Sequence, residues 1–168
     1  QVSEPIVRHG LMRWLPARQR STDLFAEMGL PQPDLFGARF PHQVSGGQLQ
    51  RAMTAMAMGC KPELVVFDEP TTALDVTTQI GVITAILQMI RTNGASGLYI
   101  SHDLALVSQV ADRIVVLKNG KLVEAGTTSK IINAPTEEYT RRLVSVRAAD
   151  SASAFRPVVS AQNEVLLG

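Results

Sequence analysis

Leu64-Val65-Val66-Phe67-Asp68-Glu69-Pro70-Thr71-Thr72-Ala73-Leu74-Asp75 (LVVFDEPTTALD) is the stretch whose reading decides the fold. Four apolar residues run into two adjacent acids and a proline. Strands covered on both faces read as continuous apolar runs, so the pattern predicts a buried parallel strand. Ligands in open α/β sheets sit at the carboxyl ends of the strands. Asp68 and Glu69 are therefore expected to project into a cleft. A carboxylate there is costly to desolvate unless a metal ion or a cation-bound phosphate accompanies it. A helix cap at Asp68 and an ion pair at Glu69 account for the same residues without chemistry.

Outward from this stretch the periodicity alternates. On the C-terminal side a helix is expected over about Val76–Arg91, apolar at Ile80, Ile83, Ile86, Leu87 and Ile90 and stopped by Asn93-Gly94. Gly97–Ser101 reads as a second buried strand, ending at His102-Asp103. Asp103 suits a helix N-cap, with a helix over Leu104–Ala111. Arg113–Leu117 and Lys121–Ala125 read as strands joined by an Asn119-Gly120 hairpin turn. Short helices are expected near Ser129–Asn133 and Thr136–Val146. Strands alternating with helices predict an α/β fold with a mostly parallel sheet and one antiparallel edge hairpin.

On the N-terminal side residues 1–30 read as helical. Trp14-Leu15-Pro16 is expected to break the run, and Ser21 or Thr22 to cap a second helix ending at Gly29. Pro31–Pro41 reads as a loop. It leads through His42-Gln43 into Val44-Ser45-Gly46-Gly47-Gln48, where loop becomes helix. Two glycines at a helix N-terminus leave backbone N–H groups open to an anion, with Ser45 and Gln48 adding donors. A plain helix cap is the alternative. The helix that follows carries Met53 and Met56 at core spacing and ends at Gly59.

The chain has 168 residues, with 45% hydrophobic and 18% charged, enough for one domain with a real core. A formal net charge of +1 gives no global pull toward nucleic acid or an anionic membrane. Cys60 is the single cysteine, so no disulfide forms within the chain, and it reads as a small buried hydrophobe. No apolar run approaches the ~20 residues that span a bilayer, and no signal-peptide pattern is present. The opening Gln1-Val2-Ser3-Glu4-Pro5 reads as mid-flow, so a longer polypeptide is expected.

Three motifs stand in order: Val44–Gln48 (VSGGQ), Leu64–Asp75, and Ile100-Ser101-His102-Asp103 (ISHD). Their order and spacing resemble the nucleotide-binding domain of ATP-binding cassette (ABC) transporters over about residues 1–146. The resemblance implies a partial P-loop NTPase fold with an N-terminal helical subdomain over 1–60, a RecA-like α/β core over 61–146, and a linker or tail over 147–168. It implies that Asp68 ends the Walker B strand and holds Mg²⁺ through water. It makes Glu69 the catalytic glutamate and His102 the switch histidine sensing the γ-phosphate. Asp75 ends the D-loop, which works across a dimer interface. Ser45, Gly46, Gly47 and Gln48 form the signature, contacting ATP held mainly by a second nucleotide-binding domain in a head-to-tail dimer. Permease subunits in the membrane are the other implied partners, docking on the helical arm, where Trp14, Phe25 and Phe36 are apolar candidates. Nucleic acid is not among the partners expected. The implied location is the cytoplasmic face of the inner or plasma membrane, as a peripheral subunit.

Within the family, Phe40-Pro41-His42-Gln43 before the signature, Asp68–Thr77, and Ala134-Pro135 before Tyr139-Thr140-Arg141 resemble the peptide, oligopeptide and nickel importers. Val44 stands for the commoner Leu, Ser101 for Thr, and Glu137-Glu138 where His-Pro is common. The third departure bears on substrate class.

The 168 residues contain no G-x-x-x-x-G-K-[ST] phosphate loop. That loop supplies the nest of N–H groups and the lysine that bind most of the phosphate. The chain by itself is therefore expected to bind ATP weakly and not to turn it over, and its sheet is expected to expose apolar surface. The tail Glu164-Val165-Leu166-Leu167-Gly168 after an Ala/Ser stretch resembles the approach to another cassette, which implies a tandem parent. A non-catalytic fragment supplying only a signature face, and a soluble non-transport ABC protein, are the competing readings.

Overall fold

The computed structural model describes residues 1–150 and 163–167. They divide into two compact units, Gln1–Val65 with Pro70–Ala95, and Val66–Glu69 with the residues from Ser96 onward.

The first unit is helical. α1 spans Ser3–Arg8 and α2 Trp14–Glu27. The expected break at Trp14-Leu15-Pro16 is instead the start of α2: Pro16 lies in the first turn, where a helix needs no N–H donor. Ser21 and Thr22 consequently lie inside α2 rather than capping a helix. The buried Ser21 hydroxyl donates to the Ala17 carbonyl and lies 2.8 Å from that of Ser3, tying α1 to α2. Met28 caps α2, and Gly29 follows at φ +62, the left-handed turn that favours glycine. The proline-rich loop is more ordered than its composition predicts, holding the short α3 (Pro33–Phe36) and a 3₁₀ turn at Pro41–Gln43. Pro33 and Pro41 each sit in a first turn, again where the missing N–H costs nothing.

α4 spans Gly46–Met58 and α5 spans Val76–Asn93. α5 buries Val82, Ile83, Ile86, Leu87, Met89 and Ile90 and ends at Gly94, φ +65. α4 buries Gly47, Thr54, Ala55 and Met58. Met53 points outward instead, because the buried stripe runs through its neighbours Thr54 and Ala55. α5 packs with α4, so the helical unit reaches past residue 60 to include 70–95.

The described strands form one sheet in the order β1 (Leu64–Asp68), β2 (Ser96–Ile100), β5 (Asn163–Leu167), β3 (Arg113–Lys118), β4 (Lys121–Thr127). β5 pairs in parallel with both β2 and β3, and β3 pairs antiparallel with β4. The hairpin turn has positive φ at both Asn119 and Gly120, as a tight two-residue turn requires. α6 (Leu104–Val110) links β2 to β3 across the width of the strand that β5 fills. The tail segment read as a strand is thus a strand of this sheet. The linker expected from Arg147 gives way to α8, which spans Glu138–Asp150; 151–162 lie outside the described residues.

β1 departs from the expected fully buried strand. Its burial alternates, with Val65 and Phe67 inside and Leu64 and Val66 more than half exposed. It is the edge strand of the described sheet, and only its face carrying Val65 and Phe67 is covered. Behind the sheet, Val107, Ile114, Val116 and Ile131 are wholly buried. Among the described residues no helix is long and apolar enough to cross a membrane.

Candidate functional site

The candidate residues fall into two groups, one in each unit. In the second unit, β1 ends at Asp68, which is exposed, and Glu69 follows. Glu69 has φ +47, a conformation uncommon for a residue with a side chain. Its N–H donates to the Ile100 carbonyl at the end of β2, 3.0 Å away, which fixes this turn against the neighbouring strand. The turn aims the carboxylate at the residue following β2. Glu69 Oε1 accepts the His102 backbone N–H at 3.1 Å and stands 2.6 Å from His102 Nδ1. Two residues 33 apart in sequence thus meet because their strands are neighbours.

The Glu69 carboxylate raises the His102 pKa above the ordinary imidazole value, through its hydrogen bond and its charge, with Asp103 adding a smaller push. The ring is largely exposed, its side chain 70% accessible, so the pair is within reach of solvent and ligand. Asp103 is the N-cap of α6, accepting the Leu106 N–H at 3.0 Å, while buried Ser101 accepts the Asp103 N–H. Capping by Asp103 and the Ser101 bond set the course of the chain through His102.

In the first unit, Ser45 caps α4. Its hydroxyl accepts the Gln48 N–H at 3.3 Å, and the Gln48 side chain accepts the Ser45 N–H at 3.1 Å, a closed capping box. Ser45 and Gly46 are exposed, Gln48 is half-buried, and Gly47 is buried. Asp75 caps α5, accepting the Thr78 N–H at 3.0 Å. The Thr78 hydroxyl and N–H hold its carboxyl below the usual range. Thr71 closes the loop, its carbonyl accepting the Leu74 N–H and its hydroxyl the Gln79 side-chain N–H. A glycine reading based on anion approach alone missed a second constraint: a Cβ on Gly47 would lie 2.5 Å from Thr78 Cγ2. The sequence signal was the Asp75-Val76-Thr77-Thr78 start of α5, which puts a branched side chain one turn into that helix.

Chemically, Glu69 is a carboxylate poised to take a proton, with a histidine beside it able to hold or return one. Asp68 is one exposed carboxylate. Among the described residues no group of three or more His, Cys, Asp or Glu forms a metal cage. That donor set fits a Mg²⁺ that keeps its waters and leans on one carboxylate and on substrate phosphates. The exposed start of α4, with Ser45 and Gly46 outward, fits an anion approached by backbone N–H groups.

Elsewhere in the helical unit a cavity of about 510 Å³ is lined by Trp14, Arg18, Phe25, Phe36, Arg39 and Phe40 among others. Trp14 is 52% exposed there, whereas Phe25 and Phe36 are buried against each other, ring centroids 5.2 Å apart.

Residues 3–72 match a family described as ABC transporter. The chain is 37% identical over 98% of its length to a peptidoglycan transport ATP-binding protein, YejF, of Agrobacterium fabrum. Over 86% of its length it is 42% identical to a dipeptide transport ATP-binding protein, DppD, of Escherichia coli. It is 38% identical over the same share to an oligopeptide transport ATP-binding protein, AppD, of Bacillus subtilis. The chain spans only 31% of the first of these relatives and 44% of the other two.

Proposed function

The chain belongs to the ABC transporter ATP-binding family, as part of such a domain with a partial P-loop NTPase fold, and on that premise we propose that its parent protein hydrolyses ATP to power uptake of peptides or related small solutes. The observation that carries this reading is the Glu69–His102 pair at the ends of adjacent strands, one residue beyond an exposed Asp68. Glu69 would accept the proton of the attacking water, and His102 would hold the carboxylate in place and read the state of the terminal phosphate. Asp68 would hold Mg²⁺ through water; the ion supplies charge neutralisation for the phosphates. Ser45, Gly46, Gly47 and Gln48 would face nucleotide held mainly by a second nucleotide-binding domain, and Asp75 would work across the same interface. The exposed starts of α4 and α5 support that placement.

The solute class follows the relatives' names, two of which are for dipeptide and oligopeptide transport. The exposed Trp14 supports permease docking on the helical arm over 1–60, with the protein peripheral on the cytoplasmic face of the membrane. The core over 61–146 keeps the role that the family resemblance gives it, whereas the tail over 147–168 supplies the end of α8 and β5. The match to YejF runs through the tail and that relative is the longest of the three, which supports two cassettes in tandem.

The 168 residues hold no phosphate loop, so this stretch alone would bind ATP weakly and release no phosphate. The experiment pairs the full-length protein with the 168-residue chain in a nucleotide-binding titration and a phosphate-release assay. Turnover is expected only from the full-length protein. Robust release by the chain alone would overturn the half-site reading, and none from either would overturn the ATPase reading.

A further inference from the structure

Thr78 lies where the start of α4 and the loop ending at Asp75 meet in the helical unit. Its N–H donates to the Asp75 carboxylate at 3.0 Å. Its methyl faces buried Gly47, so closely that a Cβ there would lie 2.5 Å from Cγ2. Four residues earlier, Leu74 Cδ2 would stand 3.0 Å from a Cβ on Gly46. These two contacts differ in kind. Leu74 presents the far end of a flexible side chain. Thr78 is β-branched and stiff at χ1 within a helix. Its methyl therefore has few other positions open to it.

We propose that Thr78 is a positioning residue that locks the Ser45–Gly47 turn to the Asp75 loop, with the glycine at 47 required by the Thr78 methyl. Gly47, next to the Ser45 cap and Gly46, and Asp75 are then held in register, because both meet Thr78 in the first turn of α5. This inference rests on the proposed ATPase reading for its consequence, and on packing alone for its geometry. A partner surface or nucleotide that engages Ser45 and Gly46 would thereby shift Asp75 with them.

The test uses the full-length protein carrying Gly47→Ala, Thr78→Ser, and both together. Thr78→Ser removes only the methyl and keeps a hydroxyl for Asp75. Gly47→Ala is expected to lower Tm by about 4–8 °C through overpacking. It is expected to lower kcat for ATP about tenfold or more, since small misplacements in such sites cost that much. The double variant is expected to recover most of both losses. Gly46→Ala, facing the movable Leu74, is expected to cost less Tm than Gly47→Ala. A double variant whose Tm loss is the sum of the single losses would overturn the contact. Recovery of Tm without kcat would also overturn the proposal, since nucleotide rather than Thr78 would then require the glycine. If the wild type shows no turnover, the ATPase reading fails while the Tm comparison still decides the contact.

Discussion

Two glutamates of the same unit, Glu69 and Glu124, follow opposite physical designs. Glu124 on β4 is buried, 6% exposed. Burial by itself would raise its carboxyl; the N–H and hydroxyl of Thr136 and the N–H of Glu137 outweigh that and hold the pKa down at about 2. Its bonds fasten the chain entering α8 to the hairpin. Glu69 is half-exposed, turned by a positive φ, and shares its carboxylate with a histidine that is itself open to solvent. The strong pKa shift at Glu124 belongs to a residue that holds the fold. A strongly shifted carboxyl therefore marks a candidate site only when it is also within reach of a ligand.

The largest effect that tests this contrast is on turnover. Glu69→Gln in the full-length protein is expected to lower the ATP hydrolysis rate about 100-fold or more, with nucleotide binding retained. Its Tm should stay within about 2 °C of wild type, as for other accessible positions. Retained turnover would remove Glu69 from the chemistry.

Glu124→Ala is expected to do the reverse. It removes the acceptor of the Thr136 N–H and hydroxyl and of the Glu137 N–H, a loss of about 1–3 kcal/mol. Thermal unfolding should show it as a lower Tm, with turnover well below that temperature close to wild type. A Tm unmoved by this substitution would mean that Glu124 does not fasten α8.

The same carboxylate predicts an acid limb. Its pKa is depressed on folding, from 4.5 to about 2. Its contribution of about 3 kcal/mol is therefore present above pH 4.5 and lost as pH falls toward 2. Tm measured over this range should fall less steeply in Glu124→Gln than in wild type.

The smallest effect is a titration. The His102 ring should protonate above the ordinary imidazole value in an NMR titration and return toward it in Glu69→Gln. The sign follows from a raised folded pKa: the charged pair is present at lower pH and lost as pH rises through the His102 pKa. An unchanged His102 titration in Glu69→Gln would break the pair.

The sequence placed Glu69 and His102 just past the ends of strands and Asp103 at a helix cap, because such positions are marked by the apolar runs before them. It misplaced the start of α2, since a proline reads as a breaker unless its place in the first turn is known. It expected a strand buried on both faces at Leu64–Asp68, whereas covering a face depends on distant elements. It gave no sign of Glu124, whose partners Thr136 and Glu137 are brought to it by the return of the chain after α7 (Thr128–Asn133).

By itself, then, the sequence determined the motif order, the alternation of strand and helix, the family, and the residues at the strand ends. These follow from local periodicity and from residue types that few other arrangements need. Only the tertiary structure decided that Glu69 and His102 touch, that Thr78 packs against Gly47, and that Asn163–Leu167 lies between β2 and β3. Each is a contact between segments far apart along the chain, and its distance is set by how whole elements pack. Local patterns encode which face an element buries, while the partner that meets that face is fixed only when the elements come together.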